Sequence, residues 1–456
     1  MDDLSYSSAC TLVEAIQQKQ LSAAELLEAQ LQRIAEHNPN LNAIITLDVD
    51  GARRLAREAD AALARGECWG ALHGLPMTLK DCYETAGMRT TAGYPPLASY
   101  VPQADSTVAA RVRAAGAIIL GKTNVSERLL DHQSNNPIFG RTNNPWNLER
   151  TSGGSSGGAA AALAAGLTPL EIGSDIGGSI RNPAHFCGVY GLKPTDRRVP
   201  MTGHIPDMPG AQRSVRFLNG IGPMARSVED LLLAFKVIAG PDGYDTEVAP
   251  LPVTPVPRQS LADLRIAWMP TFPGVPTAGA IRQAIEKLAS ELARAGGRVE
   301  EAPTPIDFRR SAQLRWELRQ MVTKSFEAQP AEAQSATLAG FLTALHERDH
   351  FINAWDRFFA TWDVLVCPVS MTTAFAHCPP GTPVPIGDTF VEYDDLGFYV
   401  TPFNLTGHPV VVVPLAHDQQ GLPIGVQLVG PRWGDERLLA IAAQVDEITG
   451  GFRRPH

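Results

Sequence analysis

Between Thr151 and Gly188 the chain is built mostly from small residues: TSGGSSGGAAAALAAG, a short gap, then GSDIGGSIRNPAHFCG. Glycine, alanine and serine at this density, in a buried setting, mean that backbone segments approach one another closely. Two glycine-flanked serine clusters therefore sit in a segment suited to the interior. They must serve as phosphate cradles, flexible linkers or two parts of one site.

The flanking pattern argues against linkers. SAAE at Ser22–Glu25 is a capping box that opens an amphipathic helix with Leu26, Leu27, Leu31 and Ile34 on one side. Pro39 is expected to stop that helix. DGARRLAREADAALARG reads as a further helix, and GLPMTLKD as a short strand ending in a charged pair. STVAARVRAAGAIILGKTN reads as helix, glycine stop, β-branched strand and turn. SVEDLLLAFKVIAGPDGYD is a capped apolar helix, HPVVVVPLA and GVQLVG are buried strands, and DERLLAIAAQVDEITG is a closing helix. Residues 306–390 carry little pattern. Strands and helices alternate throughout, which predicts an α/β layered core in one domain over residues 1–456.

Composition narrows the class. The chain has 456 residues and a net charge of −9, so it carries no basic footprint for nucleic acid. With 44% hydrophobic and 19% charged residues it is expected to be globular rather than disordered. No apolar run is long enough for a bilayer, and MDDLSYSSAC lacks the basic and apolar regions of a signal peptide. The six cysteines form no C-x-x-C pair. That argues against structural zinc and a disulfide framework, and for a reducing, cytoplasmic setting.

The serine clusters fit three familiar devices poorly. A phosphate loop needs a lysine that nothing near Gly153–Gly158 supplies. GGSSGG matches G-x-S-x-G twice, centred on Ser155 and Ser156, but NPWNLERT before it is not a β-branched strand. Its acid and histidine would have to be sought in Asp363 with His377 or His408. A Glu–Lys–Cys site using Lys80 and Cys82 places the two side by side in sequence, and Cys82 reads better as a small buried residue. A serine nucleophile needs a base, and without histidine that base is a lysine kept neutral by burial. Lys80 stands in an apolar, strand-like run, where it serves either as that base or as a partly exposed cation paired with Asp81.

Together, GLPMTLKD, GGSSGG and GSDIGGSIRNPAHFCGVYGLKPT resemble the amidase signature family, whose hallmark is a Ser–cis-Ser–Lys triad. GKTNVSE, NNPWN, GPMARSVEDLLLAFKVIAGPD, TPFNLTGHPVVVVP and GLPIGVQLVGP extend the likeness over nearly the whole chain, least over residues 245–390. The resemblance implies an α/β fold with a large mixed sheet covered by helices on both faces. Its signature core would span about 65–245, its variable substrate side about 245–390, and a C-terminal core segment about 395–450.

It further implies Ser179 as nucleophile, Ser155 as bridging serine after a cis Gly154–Ser155 bond, and Lys80 as base. Ser155 stands 24 residues before Ser179, the family's spacing. The oxyanion would meet the N–H groups of Ile176, Gly177 and Gly178, with Ser179 as a further donor. Asp175 and Arg181 would orient the nucleophile loop. Leu129, Asp131 and Gln133 would wall the acyl site, and Ser156 would support Lys80 or the loop. MTGHIPDMPGAQRS, Met201–Ser214, which holds the substrate-side candidates Met201 and His204, is a Gly/Pro-rich loop that either folds over the pocket or lies in solvent. His185 reads as packing. No cofactor or metal is expected.

The leading expectation is a stand-alone hydrolase of small amides, extending to esters and carbamates (urethanes). It would act on a small molecule as a monomer or homodimer, with no nucleic acid and no membrane. The alternative is the amide-cleaving component of a tRNA-dependent amidotransferase, its A subunit, which supplies ammonia from glutamine. No acidic–basic pair for glutamine's charged ends stands out between SVEDL and the C-terminal motif.

Overall fold

The computed structural model describes residues 2–205, 209, 217–327 and 337–455. Its centre is an eight-stranded mixed sheet. In spatial order the strands are Arg298–Glu301, Arg265–Trp268, Val364–Pro368, Pro423–Val429, Val410–His417, Tyr190–Lys193, Gly220–Ala225 and Leu170–Asp175. Arg265–Trp268 runs parallel to both neighbours, and the remaining pairs are antiparallel.

The valine run explains how the sheet is covered. Successive side chains of a strand point to opposite faces, so an unbroken apolar run marks a strand buried on both. Val411 and Val413 join a core with Leu231, Phe235, Ile281, Ile285 and Leu439, from helices Val228–Ile238, Gly279–Arg294 and Asp435–Thr449. Val410 and Val412 pack on the other side, among Phe186, Trp355, Phe403, Ala184 and Ala160. Helices thus cover both faces, as the family resemblance implies.

A smaller sheet, in the order Ile44–Leu47, Ile118–Thr123, Pro76–Lys80, brings Lys80 to the edge of the main one. Pro76–Lys80 packs against Leu170–Asp175, the strand that leads to Ser179. The alanine-rich helix Gly157–Ala164 lies wholly buried at this junction. A Cβ on Gly158 would stand 2.4 Å from the Asn124 amide nitrogen. The small residues are what let helix and sheet meet there.

Two elements depart from the sequence reading. The capping box at Ser22 and Glu25 forms, but its helix runs on to Leu41 with Pro39 inside its last turn. Proline that near a helix end removes only one late backbone bond, and the Asn42 N–H donates to Asn38 O at 2.7 Å to close the turn. The weakly patterned region contains helices Phe308–Glu327 and Leu338–Thr361. Among the described residues no helix is long and apolar enough to cross a membrane.

Candidate active site

Lys80 ends its strand fully buried, with Nζ donating to Ser155 Oγ at 2.8 Å, Ser174 Oγ at 3.0 Å and the Ser174 carbonyl at 3.2 Å. Burial lowers the Lys80 pKa to about 8, against opposing pulls from Cys82, Asp175 and Glu171. The pairing with Asp81 that one reading allowed does not form. The Asp81 carboxylate accepts from the Thr91 hydroxyl at 2.5 Å and from the Thr91 N–H, and it sits in the field of Lys122. Burial lifts it to about 6. Ser174, which the sequence did not single out, is a direct partner of the lysine; its only signal was a hydroxyl beside Asp175 at the strand end.

Ser155 lies two residues before the helix Gly157–Ala164, and the Gly154–Ser155 peptide bond is cis. Ser179 occupies the loop between the strand Leu170–Asp175 and the helix Arg181–Cys187. The two serine loops are tied where the Ser156 N–H donates to the Ser179 carbonyl at 3.2 Å. No hydrogen bond joins Ser155 Oγ to Ser179 Oγ among the described residues. The Ser156 hydroxyl is buried without a hydrogen-bond partner, so it contacts neither Lys80 nor the loop backbone through one.

Asp175 organises the loop that carries Ser179. Its carboxylate accepts from the N–H groups of Gly178 and Ile180, from the Asn404 amide and from the Arg181 guanidinium at 2.9 Å. Both members of the ion pair are fully buried. Burial alone would raise the Asp175 carboxyl, but Arg181, Asn404 and Gly178 outweigh it and hold the group well below the carboxylate range. Arg181 also reaches the Val400 carbonyl and Asn404 Oδ1.

The expected oxyanion donors differ in their hydrogen bonding. The Gly178 N–H is already spent on Asp175 Oδ1 at 2.8 Å, while those of Ile176, Gly177 and Ser179 have no partner among the described residues. Gly178 takes a φ of +100°, which only glycine adopts without strain. Ile176 and Gly177 are partly exposed in an otherwise buried stretch, so the loop opens outward there.

The segment expected to wall the acyl site does lie beside the serines. A Cβ on Gly154 would stand 2.4 Å from the Asp131 carbonyl oxygen and 2.7 Å from the Gln133 nitrogen. The Tyr393 hydroxyl donates to Asp131 Oδ1 at 2.5 Å, and the Gln133 amide donates to Tyr393 Oη and the Cys378 carbonyl. Leu129 is buried at the base of this turn with a φ of +61°.

Met201 and His204 behave differently from a lip. Both are buried, Met201 in the main core and His204 with its ring edge on Tyr83 at 5.3 Å. Residues 206–208 and 210–214 of that stretch lie outside the described residues. His185 packs as read, accepting the Gly425 N–H at 2.8 Å, and burial drops it to about 4. Burial pushes the Cys82 thiol up to about 12, which suits an inert core residue.

The family model described as Amidase matches residues 25–318 and 309–439. The chain belongs to the amidase signature family. It is accordingly an amidohydrolase-type enzyme. The A subunit of glutamyl-tRNA(Gln) amidotransferase from Roseiflexus sp. (strain RS-1) is 34% identical, over 97% of this chain and 96% of that protein. The solved A subunit of the same enzyme from Thermotoga maritima has a TM-score of 0.80 at 25% identity, covering 99% of this chain and 98% of that one. The structure of 6-aminohexanoate cyclic dimer hydrolase complexed with substrate has a TM-score of 0.82 at 27% identity, covering 99% of each chain.

The amidotransferase relatives overturn two expectations. Their names make them components of an enzyme that works on tRNA, so a stand-alone hydrolase of small amides, esters or carbamates is not the reading that the likeness favours. The expectation of a monomer or homodimer with a small-molecule substrate and no nucleic acid falls for the same reason. Net charge averages over the whole chain, so an acidic balance does not exclude work on a nucleic acid.

Proposed function

We propose that this chain is the amide-cleaving component of a tRNA-dependent amidotransferase, releasing ammonia from the side-chain amide of glutamine. The observation that carries this reading is the end-to-end match to the A subunit of glutamyl-tRNA(Gln) amidotransferase, 34% identical with 97% and 96% of the two chains covered. The complex would work in the cytoplasm, where charged tRNA is found.

The residues support the following chemistry. Neutral Lys80 turns its two N–H groups to the Ser174 carbonyl and hydroxyl, which leaves its lone pair for the Ser155 proton. Rotation of the Ser179 hydroxyl toward Ser155 completes the relay, and such contacts commonly tighten only once substrate is bound. Ser179 Oγ attacks the amide carbon, and the oxyanion is met by the N–H groups of Ile176, Gly177 and Ser179. Each such donor is worth about 2.7–4 kcal/mol in comparable sites. The relay returns its proton to nitrogen as the C–N bond breaks and ammonia leaves. Water, deprotonated through the same serine and lysine, then cleaves the ester to give glutamate and free Ser179. Asp175 and Arg181 hold the loop that carries the donors.

The test is glutamine turnover by the purified chain, alone and together with its partner subunits, following glutamate and ammonia and the transfer of amide to glutamyl-tRNA. The proposal expects glutamate formation that depends on Ser179 and is coupled to tRNA when the partners are present. Hydrolysis of simple neutral amides with no glutamine turnover in either preparation would overturn it.

A further inference from the structure

We propose that Arg315, with Arg319, forms a subsite for an anionic group on the amide substrate, a carboxylate, beside the oxyanion loop. This rests on the proposed function only in that glutamine offers such a group; the subsite itself is argued from the arginines.

Arg315 and Arg319 stand one turn apart on the helix Phe308–Glu327 and so share a face. The Arg315 guanidinium meets the oxyanion loop directly. It donates to the Ile176 carbonyl at 2.7 Å, and a Cβ on Gly177 would stand 2.6 Å from Nη2. Arg315 is 7% exposed, its Nε is buried without a hydrogen-bond partner, and no carboxylate pairs with it among the described residues. Asp175, the acid nearest in effect, is already bound by Arg181. Arg319 is partly buried and makes no hydrogen bond or ion pair among the described residues; its guanidinium faces the Trp316 ring at 5.6 Å.

A buried guanidinium without an acid is costly, and buried charges are ordinarily paired. Burial and the neighbouring Arg319 lower Arg315 to about 9, so it remains charged at neutral pH. Both arginines also act on His132, whose backbone abuts Gly154 beside Ser155. The serine loops therefore face positive charge where Arg315 meets them. Asp131, held by Tyr393, and Asp394 act on His132 with the opposite sign. A substrate with its amide at Ser179 and a carboxylate toward the arginines would meet the charge that Arg315 brings to the Ile176 loop. A guanidinium binds carboxylate through two parallel N–H donors, and such bonds are about twice as strong as neutral ones.

The experiment compares 5-amino-5-oxopentanoate, which ends in a carboxylate, with pentanamide, its uncharged counterpart. The full chain, with its partner subunits where turnover needs them, is assayed for kcat/KM on each. The subsite predicts a preference of tenfold or more for the carboxylate-bearing amide, expressed mainly in KM. That preference falls toward one in Arg315→Met, falls in part in Arg319→Met, and is partly restored in Arg315→Lys. Equal losses on both amides in Arg315→Met, with the ratio unchanged, would reduce Arg315 to a support of the Ile176 loop and overturn the proposal. Binding is measured separately on Ser179→Ala by calorimetry with 5-amino-5-oxopentanoate. Saturable binding lost on adding Arg315→Met upholds the subsite even if glutamine is not a substrate. Absence of binding, or binding indifferent to Arg315, rejects it even if glutamine is turned over.

Discussion

Replacing Lys80 tests the base through its pH dependence. Lys80 lies fully buried with its pKa lowered to about 8 by desolvation. At pH 7 it is neutral about one tenth of the time, against about one part in 2,500 for an ordinary lysine near 10.4. Burial thus raises the supply of neutral base by a few hundredfold. Only the neutral amine accepts a proton, so activity increases as pH rises. kcat/KM should climb about tenfold per pH unit below pH 8 and level off above it. Lys80→Ala should lose about 10²–10⁴-fold above pH 8, the usual worth of a positioned base, and should no longer show the limb near pH 8. Lys80→Arg keeps a cation that does not deprotonate in proteins, so it should be equally inactive and gain nothing at pH 9. The assay is initial-rate ammonia release between pH 5.5 and 9.5, with circular dichroism to verify folding. An acidic limb near 6 that survives in Lys80→Ala would refute the reasoning. It would transfer the base role to another group, such as the buried Asp81 at about 6 or Glu171 at about 7.

Further outcomes follow from the same geometry. Ser179→Ala should abolish turnover while its urea midpoint stays near wild type, because one hydroxyl is lost from a loop held by Asp175; residual activity of a few per cent would exclude Ser179 as nucleophile. Asp175→Asn leaves the fully buried Arg181 without its carboxylate, and should cost about 3–5 kcal/mol in urea unfolding. A loss below about 1 kcal/mol would show that Asn404 and the Val400 carbonyl suffice for Arg181. Gly158→Ala places a methyl 2.4 Å from the Asn124 nitrogen and should lower Tm and activity together; an unchanged Tm would mean that the helix moves freely there. Among the described residues no group of three His, Cys, Asp or Glu could hold a metal ion, so EDTA should leave the rate unchanged; zinc-dependent recovery after chelation would contradict this.

What could be read from the sequence was what local chemistry dictates. The valine run announces a strand buried on both faces, and GGSSGG announces a backbone that must pack tightly. Lys80 stood out because a lysine in an apolar strand needs a reason. The bond from the Gly178 N–H to Asp175 was not legible, because it depends on how the loop curls, which residue types alone do not reveal. Met201 and His204 sit in a Gly/Pro-rich stretch that resembles an exposed loop, yet Tyr83 and the main core cover them. The helix Phe308–Glu327 escaped notice because charged residues interrupt its apolar face. One of these, Arg315, is bonded to the Ile176 carbonyl rather than directed at solvent.

The most direct test of the central claim is to trap the acyl group. A slowly turned-over ester of the substrate acid is mixed with the enzyme, quenched in acid within its first turnovers, digested, and sequenced by mass spectrometry. The account predicts one acyl group per chain, on Ser179, absent from Ser179→Ala and much reduced in Lys80→Ala. An acyl group on Ser155, Ser156 or Cys82, or turnover with no covalent adduct at any time, would contradict it.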